Sequence, residues 1–241
     1  MITQAPAEVP KPSDVSRWSD EDRVTFFRGL VNQREPYSAD TFFSIIGQGL
    51  KDTNETVRTH AVTIVFWDTL ATTGELGAPV PLVYDYRSIP DIDGVLLGVF
   101  QQKPEGPVGG MALSAAAILY PGDSAIERVI VDGLSSNPSD MAVFGYLKII
   151  QRGSFDSSVV LAALESVEEV QDSQVQRMVD ETREAISKTV ARSSGLLIQP
   201  ERSDYDQRSG ISSWFTASRI AALAAIAAVA VGVIYRRRKR S

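Results

Sequence analysis

The residue types that usually carry catalysis or bind metals are scarce in this chain. Its 241 residues include no cysteine and one histidine, His60. Thiol nucleophiles, disulfides, Cys-ligated metal sites and sites with two histidines are therefore excluded. A Ser-His-Asp arrangement would have His60 as its single candidate base, but Val57 and Ile64 flank it at helical spacing, which favours a structural role. We therefore expect no enzyme activity, no cofactor and no metal.

Four short motifs have part of the pattern of a functional site. Runs 91–94 (Asp-Ile-Asp-Gly) and 204–210 each carry two carboxylates but lack the other oxygen ligands of a calcium loop. Asp91 is instead expected to cap a helix. The glycine-rich run 106–110 lacks the Gly-Lys-Ser/Thr ending of a phosphate-binding loop. The sequon at 54–56 (Asn-Glu-Thr) matters only in a secretory lumen.

Basic residues are concentrated at one end of the chain. The formal net charge is −6, from 24 Lys and Arg against 30 Asp and Glu. Five of the basic residues form one block: Arg236, Arg237, Arg238, Lys239 and Arg240. Residues 1–235 contain the remaining 19 basic residues and all 30 acidic ones, so their net charge is about −11. Such an acidic body repels a phosphate backbone, and we expect no nucleic-acid partner.

A long apolar segment precedes the basic block. The 16 residues from Ile220 to Tyr235 contain no charged and no amide side chain, and extension back to Trp214 gives 22 residues. As a helix this is about 33 Å long, close to the hydrocarbon thickness of a bilayer. Trp214, Phe215 and Tyr235 match the aromatic belts of a spanning helix, and Arg219 can snorkel to the headgroups. The sequence therefore predicts a single-pass membrane anchor in the lipid bilayer, with a buried Ala-rich helix as the alternative.

Small residues recur on one side of this segment. Ala224, Ala228 and Gly232 are spaced four residues apart. Such a face lets two membrane helices approach closely, and it predicts weak self-association through the anchor.

Two signals disagree about the side of the membrane on which the body lies. The basic block favours the cytoplasmic side, which would place the body outside. Residues 1–12 have neither a basic nor an apolar signal region, which predicts a cytoplasm-facing body and a tail inserted after translation. The tail is also similar to bacterial C-terminal sorting signals, in which an arginine cluster follows an apolar span. It differs because Pro200-Glu201-Arg202 stands in place of Pro-Glu-Pro and lies too far upstream.

The body is predicted to consist of helices joined by short polar turns. Ser19, Ser38 and Asn54 can each cap a helix N-terminus, and Gly74 can end the third helix. Prolines around 83–86 predict a loop or at most a short strand. Further helices are predicted over 91–101, 111–120, 125–134, 139–151, 157–170 and about 173–192. Pro138 is expected to open the helix at 139–151.

These helices form pairs that are joined by turns near residues 50, 134 and 170. Leu50 and Leu134 are 84 residues apart, which is two periods of about 42. The run 49–52 (Gly-Leu-Lys-Asp), followed by Val57-Arg58 and Ala61-Val62, resembles the turn and second helix of the HEAT-repeat family. The resemblance covers roughly residues 38–192. It implies an all-α fold, a short α-solenoid of HEAT-like helical hairpins that binds other macromolecules; a non-repetitive helical bundle is the alternative.

These patterns together predict a membrane-tethered scaffold or adaptor that binds a protein partner of unknown identity. One alternative is an exported envelope protein whose tail is a sorting signal. Another is an enzyme with its site at the loop 84–93, which would require a pocket and perturbed titratable groups there. The predicted organisation is a flexible leader (1–18), a HEAT-like helical domain (19–192), a polar linker (193–213), a transmembrane helix (214–235) and a basic tail (236–241).

Overall fold

The computed structural model describes residues 12–31, 37–80, 84–104, 106–136, 138–167 and 170–193. All of them belong to one compact unit, within residues 1–197. The predicted membrane helix and basic tail, with the Ala224, Ala228 and Gly232 face, lie outside the described residues. Among the described helices, none has the length and the apolar character needed to cross a bilayer.

The described part of the chain is all-α, as predicted. It contains ten α-helices and one 3₁₀ turn, and no strand occurs in these ranges. The helices are α1 (Pro12–Val15), α2 (Asp20–Leu30), α3 (Ala39–Leu50), α4 (Glu55–Thr72), α5 (Ile92–Gln102), α6 (Pro107–Leu119), α7 (Ser124–Ser135), α8 (Asp140–Gly153), α9 (Ser158–Glu165) and α10 (Ser173–Ser193); the 3₁₀ turn is Tyr86–Ser88.

The predicted helix caps are confirmed at the starts of α2, α3 and α4. Ser19 Oγ accepts from the N–H of Asp22, and Ser38 Oγ accepts from the N–H of Thr41. Asn54 Oδ1 accepts from two N–H groups in the first turn of α4. Each cap satisfies donors that have no partner within the helix, which fixes where the helix begins. At the other end of α4, Gly74 adopts φ +76°, a conformation that suits glycine and stops the helix.

The structure differs from the predictions at three helix starts. Part of the predicted leader forms α1, and Val15 is 1% exposed because it packs against the core. The second helix of the α5–α6 pair begins at Pro107, four residues before the predicted start, because proline is well suited to the first helical position. Pro138 lies before the helix and does not open it, because Ser139 is the cap of α8.

Two further predictions about local structure hold only in part. Asp91 is at the N-cap position of α5, as predicted, but it has a left-handed conformation (φ 57°) and its side chain makes no capping hydrogen bond. The helix predicted over 157–170 ends at Glu165, where Ser166 is the C-cap. In the proline-rich segment, the loop prediction holds, but Tyr86 is fully buried and its hydroxyl donates to Asp68 at 2.5 Å.

Helices that are consecutive in the chain pack against each other, and so do helices that are two apart. Consecutive helices contact each other in the pairs α3–α4, α5–α6, α7–α8 and α9–α10. Contacts between alternate helices join α2, α4, α6, α8 and α10 in one row, and they also join α1 to α3, α3 to α5 and α7 to α9. The alanine-rich α6 lies at the centre of this packing, where Ala112, Ala115, Ala116 and Ala117 are fully buried. Small side chains at these positions let neighbouring helices approach closely.

Candidate functional site

An open groove of about 800 Å³ runs along one face of α3. Its floor consists of α3 residues at spacings of three and four, so they share one side of the helix. The opposite side of α3 carries Phe42, Ile45 and Ile46, which are fully buried in the core. One long face of α3 is therefore packed, and the other is open. The floor residues are Asp40, Phe43, Ser44, Gly47, Gln48 and Lys51.

Other elements supply the walls of the groove. The end of α1 contributes Val15 and Ser16, and α2 contributes Arg23 and Phe27. The opposite wall is the segment 88–90, between the 3₁₀ turn and α5. The volume is in the range of small-ligand sites, but the elongated floor is also suited to a peptide segment.

Arg23 forms a mostly buried ion pair in the α2 wall. Its side chain and that of Asp52 are each 12% exposed. Arg23 Nη2 donates to Asp52 Oδ1 at 3.2 Å, and Nη1 donates to the Trp18 carbonyl at 2.7 Å. The hydrogen bond to Asp52 raises the pKa of the Arg23 guanidinium, although burial acts in the opposite direction. Arg23 thus remains charged, and it pairs both with Asp52 and with the exposed Asp20, whose Oδ1 accepts from Nη2 at 2.8 Å.

The two ends of the groove carry opposite charges that remain unbalanced. Asp40 lies in the first turn of α3, and Lys51 is its C-cap. Neither has an ion-pair partner within the described ranges. They are eleven positions apart along the helix, a rise of about 17 Å. The groove therefore has an acidic end and a basic end.

Gln48, on the floor of the groove, has an incompletely satisfied amide. Its Nε2 donates to Ser44 Oγ at the long distance of 3.5 Å. Its Oε1 is buried and accepts no hydrogen bond from the described residues. Exchanging the two amide atoms would leave the nitrogen without a partner instead, so one polar atom lacks a partner in either orientation. Such an atom costs about 1–3 kcal/mol of stability.

His60, the single candidate base, lies half-buried on α4 and outside the groove. Burial lowers the pKa of its imidazole, and the charge of Arg28 lowers it further. Its Nε2 is buried and has no hydrogen-bond partner among the described residues. These features are those of a neutral histidine packed between helices.

The motifs at 54–56 and 106–110 lie in structural positions, and the run 204–210 lies outside the described residues. Asn54 caps α4 and also donates to Asp20 at 3.0 Å, so its side chain is engaged within the fold. Gly109 lies in the first turn of α6, where an added Cβ would overlap the Lys103 carbonyl. In the described ranges, no group of three acidic or histidine side chains is placed to hold a metal ion.

The loop 84–93 contains one exposed ion pair and contributes to one wall of the groove. Arg87 donates to both carboxylate oxygens of Asp85, and this hydrogen bonding lowers the pKa of Asp85. Residues Ser88, Ile89 and Pro90 of the same loop line the groove.

A second exposed surface is apolar. Trp67 on α4 is 40% exposed, and Leu76 and Val80 in the following loop are 47% and 52% exposed. The N–H of Val80 donates to the carbonyl of Ala71, which holds the loop beside the end of α4.

The predictions from sequence missed the groove. The i, i+3, i+4, i+7, i+8, i+11 series on α3 was visible, but it mixes polar and apolar residues like an ordinary solvated face. Its significance depends on α1 and the segment 88–90, which form walls on either side of it.

The fold and the groove define a class of protein: an all-α domain of paired helices with an open groove on one of them. Comparison of the chain with protein-family models, with curated proteins and with solved structures gave no match.

Proposed function

We propose that this protein is a non-catalytic, membrane-tethered adaptor whose helical domain binds a protein partner in the groove along α3. The observation that carries the proposal is the open face of α3, which has walls beside it and, at each end, a charged side chain with no ion-pair partner among the described residues. A helix face that is simply exposed to solvent needs neither walls beside it nor such charges at its ends. The scarcity of cysteine and histidine supports a role in binding.

We further propose that the paired helices form a short α-solenoid of the HEAT type. The contacts between alternate helices support it, since stacked helical hairpins place first helices against first helices and second against second. The even-numbered helices make such contacts from α2 to α10 without a break. Solenoids of this kind commonly bind other macromolecules along the surfaces that the stacked hairpins expose.

The proposed tether is the segment between Trp214 and Tyr235, followed by the basic block. Its support is the sequence: a largely apolar run of 22 residues with Arg219 as its one charge, aromatic residues at both ends and five cations after it. Confinement to a membrane surface raises the effective concentration of a partner in the same membrane. Weak binding in the groove would then suffice.

Partner capture tests the role of the groove. Ser44 is exposed in the middle of α3, on the floor of the groove, and Ser187 is exposed in the middle of α10, away from it. Tagged wild-type, Ser44→Arg and Ser187→Arg proteins are recovered from detergent extracts. We expect a protein that is enriched with wild type and with Ser187→Arg, and lost with Ser44→Arg. Identical captures by all three proteins would contradict the proposed role of the groove.

Membrane extraction and protease protection test the tether and its orientation. We expect the full chain to stay in carbonate-washed membranes and a chain ending at residue 213 to be released. Protease added to intact cells should leave a cytoplasm-facing body uncut. Digestion of the body, together with loss of the tail from the intact mass, would favour the exported protein with a sorting signal. Release of the full chain by carbonate would contradict the tether.

A further inference from the structure

We infer that the groove binds an amphipathic α-helix of about three turns, which lies antiparallel to α3 and is acidic at its start and basic at its end. This inference rests on the proposed function, because it names the chemistry of the partner in that same groove. It follows from the length of the groove, the atoms that its floor presents and the charges at its two ends.

The floor favours a helix over an extended peptide. An extended peptide that binds by strand addition pairs its backbone with the edge of a sheet. The floor here is a helix, and the backbone groups in the middle of α3 are already bonded within it. The described groove therefore offers mainly side chains, and a partner must contact them with side chains on one face. A helix about 17 Å long presents such a face along the whole floor.

The centre of the floor is shaped for a close approach. Ser44 is small and exposed, whereas Gly47 lies against Ile89, whose Cγ2 would be 3.2 Å from an added Cβ, so the free part of the floor centres on Ser44. Phe43 is half-buried beside Ser44, and Pro90 is exposed on the opposite wall. Apolar side chains of an incoming helix can therefore pack against Phe43 and Pro90 while their backbone lies over Ser44.

The charges at the ends of the groove set the direction of the partner. Lys51 favours an acidic group nearby, and Asp40 favours a cation. In an antiparallel helix, the first turn lies near Lys51 and the last turn lies near Asp40. Acids in the first turn and cations in the last turn are also what a helix dipole favours. A parallel partner would need the opposite charges, which its own dipole disfavours.

Two stapled peptides of about twelve residues test the inference. Both carry leucines along one face. The acid-first peptide has glutamates in its first turn and lysines in its last, and the base-first peptide exchanges them. The staple keeps both helical, which circular dichroism checks, because free peptides of this length are marginal helices. Binding to the full chain in zwitterionic nanodiscs is measured by fluorescence anisotropy, with the signal of empty nanodiscs subtracted.

We expect the wild-type chain to bind the acid-first peptide about tenfold more tightly at low ionic strength, and the preference to shrink as salt is added. The double variant Asp40→Lys with Lys51→Glu should reverse the preference. If this variant is not folded, the milder Asp40→Asn with Lys51→Gln should bind both peptides alike. Ser44→Arg should weaken both peptides at least tenfold, and Ser187→Arg should change neither.

Equal binding of both peptides to wild type would overturn the inference, as would an unchanged preference in the charge variants. Equal or tighter binding of a proline-containing extended peptide of the same composition would also overturn it. If neither peptide binds, the inference fails. The proposed function survives that result if Ser44→Arg still abolishes partner capture, and it fails as well if Ser44→Arg leaves capture unchanged.

Discussion

Substitution of Gly49 by alanine tests the close packing that holds the groove in place. Gly49 lies in α3, and a Cβ at this position would overlap the ring of Phe27 and lie 3.0 Å from the Cβ of Ala61. Phe27 is fully buried and is a wall residue of the groove. The glycine thus lets α3 approach α2 and α4 at once. An added methyl group would push Phe27 out of its place.

The expected loss follows from two opposing effects. Replacing glycine by alanine in a helix contributes about 0.5–1 kcal/mol of stability. Overpacking a core costs about 1–3 kcal/mol, and the upper part of this range applies here because the ring has fully buried surroundings. Gly49→Ala should therefore lower the free energy of unfolding by about 2 kcal/mol. For a domain of this size, the melting temperature should fall by about 4–8 °C.

Gly98 provides the matched control. It lies in the middle of α5, and a Cβ there would meet no atom within 4 Å. Gly98→Ala should therefore raise the unfolding free energy by about 0.5–1 kcal/mol. The two alanine variants should therefore change the free energy of unfolding in opposite directions, although the chemical change is the same in both.

Urea unfolding of the full chain, followed by far-ultraviolet circular dichroism, measures both variants. The double variant Gly49→Ala with Phe27→Leu should recover part of the loss, because the smaller leucine leaves room for the new methyl group. Stabilisation by Gly49→Ala to the same extent as Gly98→Ala would refute the close approach of α2 and α3. It would also remove the reason given for the position of the Phe27 wall.

Three further variants test other parts of the fold by the same urea titration. Arg152→Met removes hydrogen bonds of 2.7 and 2.9 Å to Glu75, so the free energy of unfolding should fall by about 2–4 kcal/mol. A loss below about 1 kcal/mol, the range of a surface ion pair, would contradict this pairing. Tyr86→Phe removes the donor to Asp68 and should cost about 1–3 kcal/mol with no change in the denaturant slope. Because burial lowers the pKa of His60, the unfolded chain binds more protons, and stability falls as the pH drops through about 6.5. His60→Gln should flatten this loss between about pH 7 and 5; an unchanged slope would show that the imidazole is not buried as described.

Local structure was predictable where one side chain decides it. Ser19, Ser38 and Asn54 mark the starts of their helices. Serine and asparagine have a short side chain whose oxygen can reach the free N–H groups of the first turn. Gly74 marks an end for an equally local reason. The all-α character followed from a run of such signals combined with helical periodicity.

Prediction failed where tertiary packing decides the structure. Asp91 has a side chain suited to capping, yet its left-handed backbone places the carboxylate without a capping hydrogen bond. A Cβ on Gly94 would come 2.6 Å from Asp91 Oδ1, so the glycine makes room for the carboxylate in the first turn of α5. Val15 was assigned to a leader because prolines and charges surround it, but it packs against the core. The burial of Val15 cannot be derived from a short window of sequence, since it depends on core residues that are distant in the chain.

The groove belongs to this second kind of feature, and this explains how an unremarkable helix face becomes a candidate site. Taken alone, the series from Asp40 to Lys51 resembles a solvated face with a favourable acid near its N-terminus and a cation near its C-terminus. With α1 and α2 on one side and Ile89 with Pro90 on the other, the same face becomes the floor of a channel. The charges that suit the dipole of α3 then lie at the two ends of that channel. A second helix running in the opposite direction, with the ordinary charge distribution of a helix, matches both ends at once.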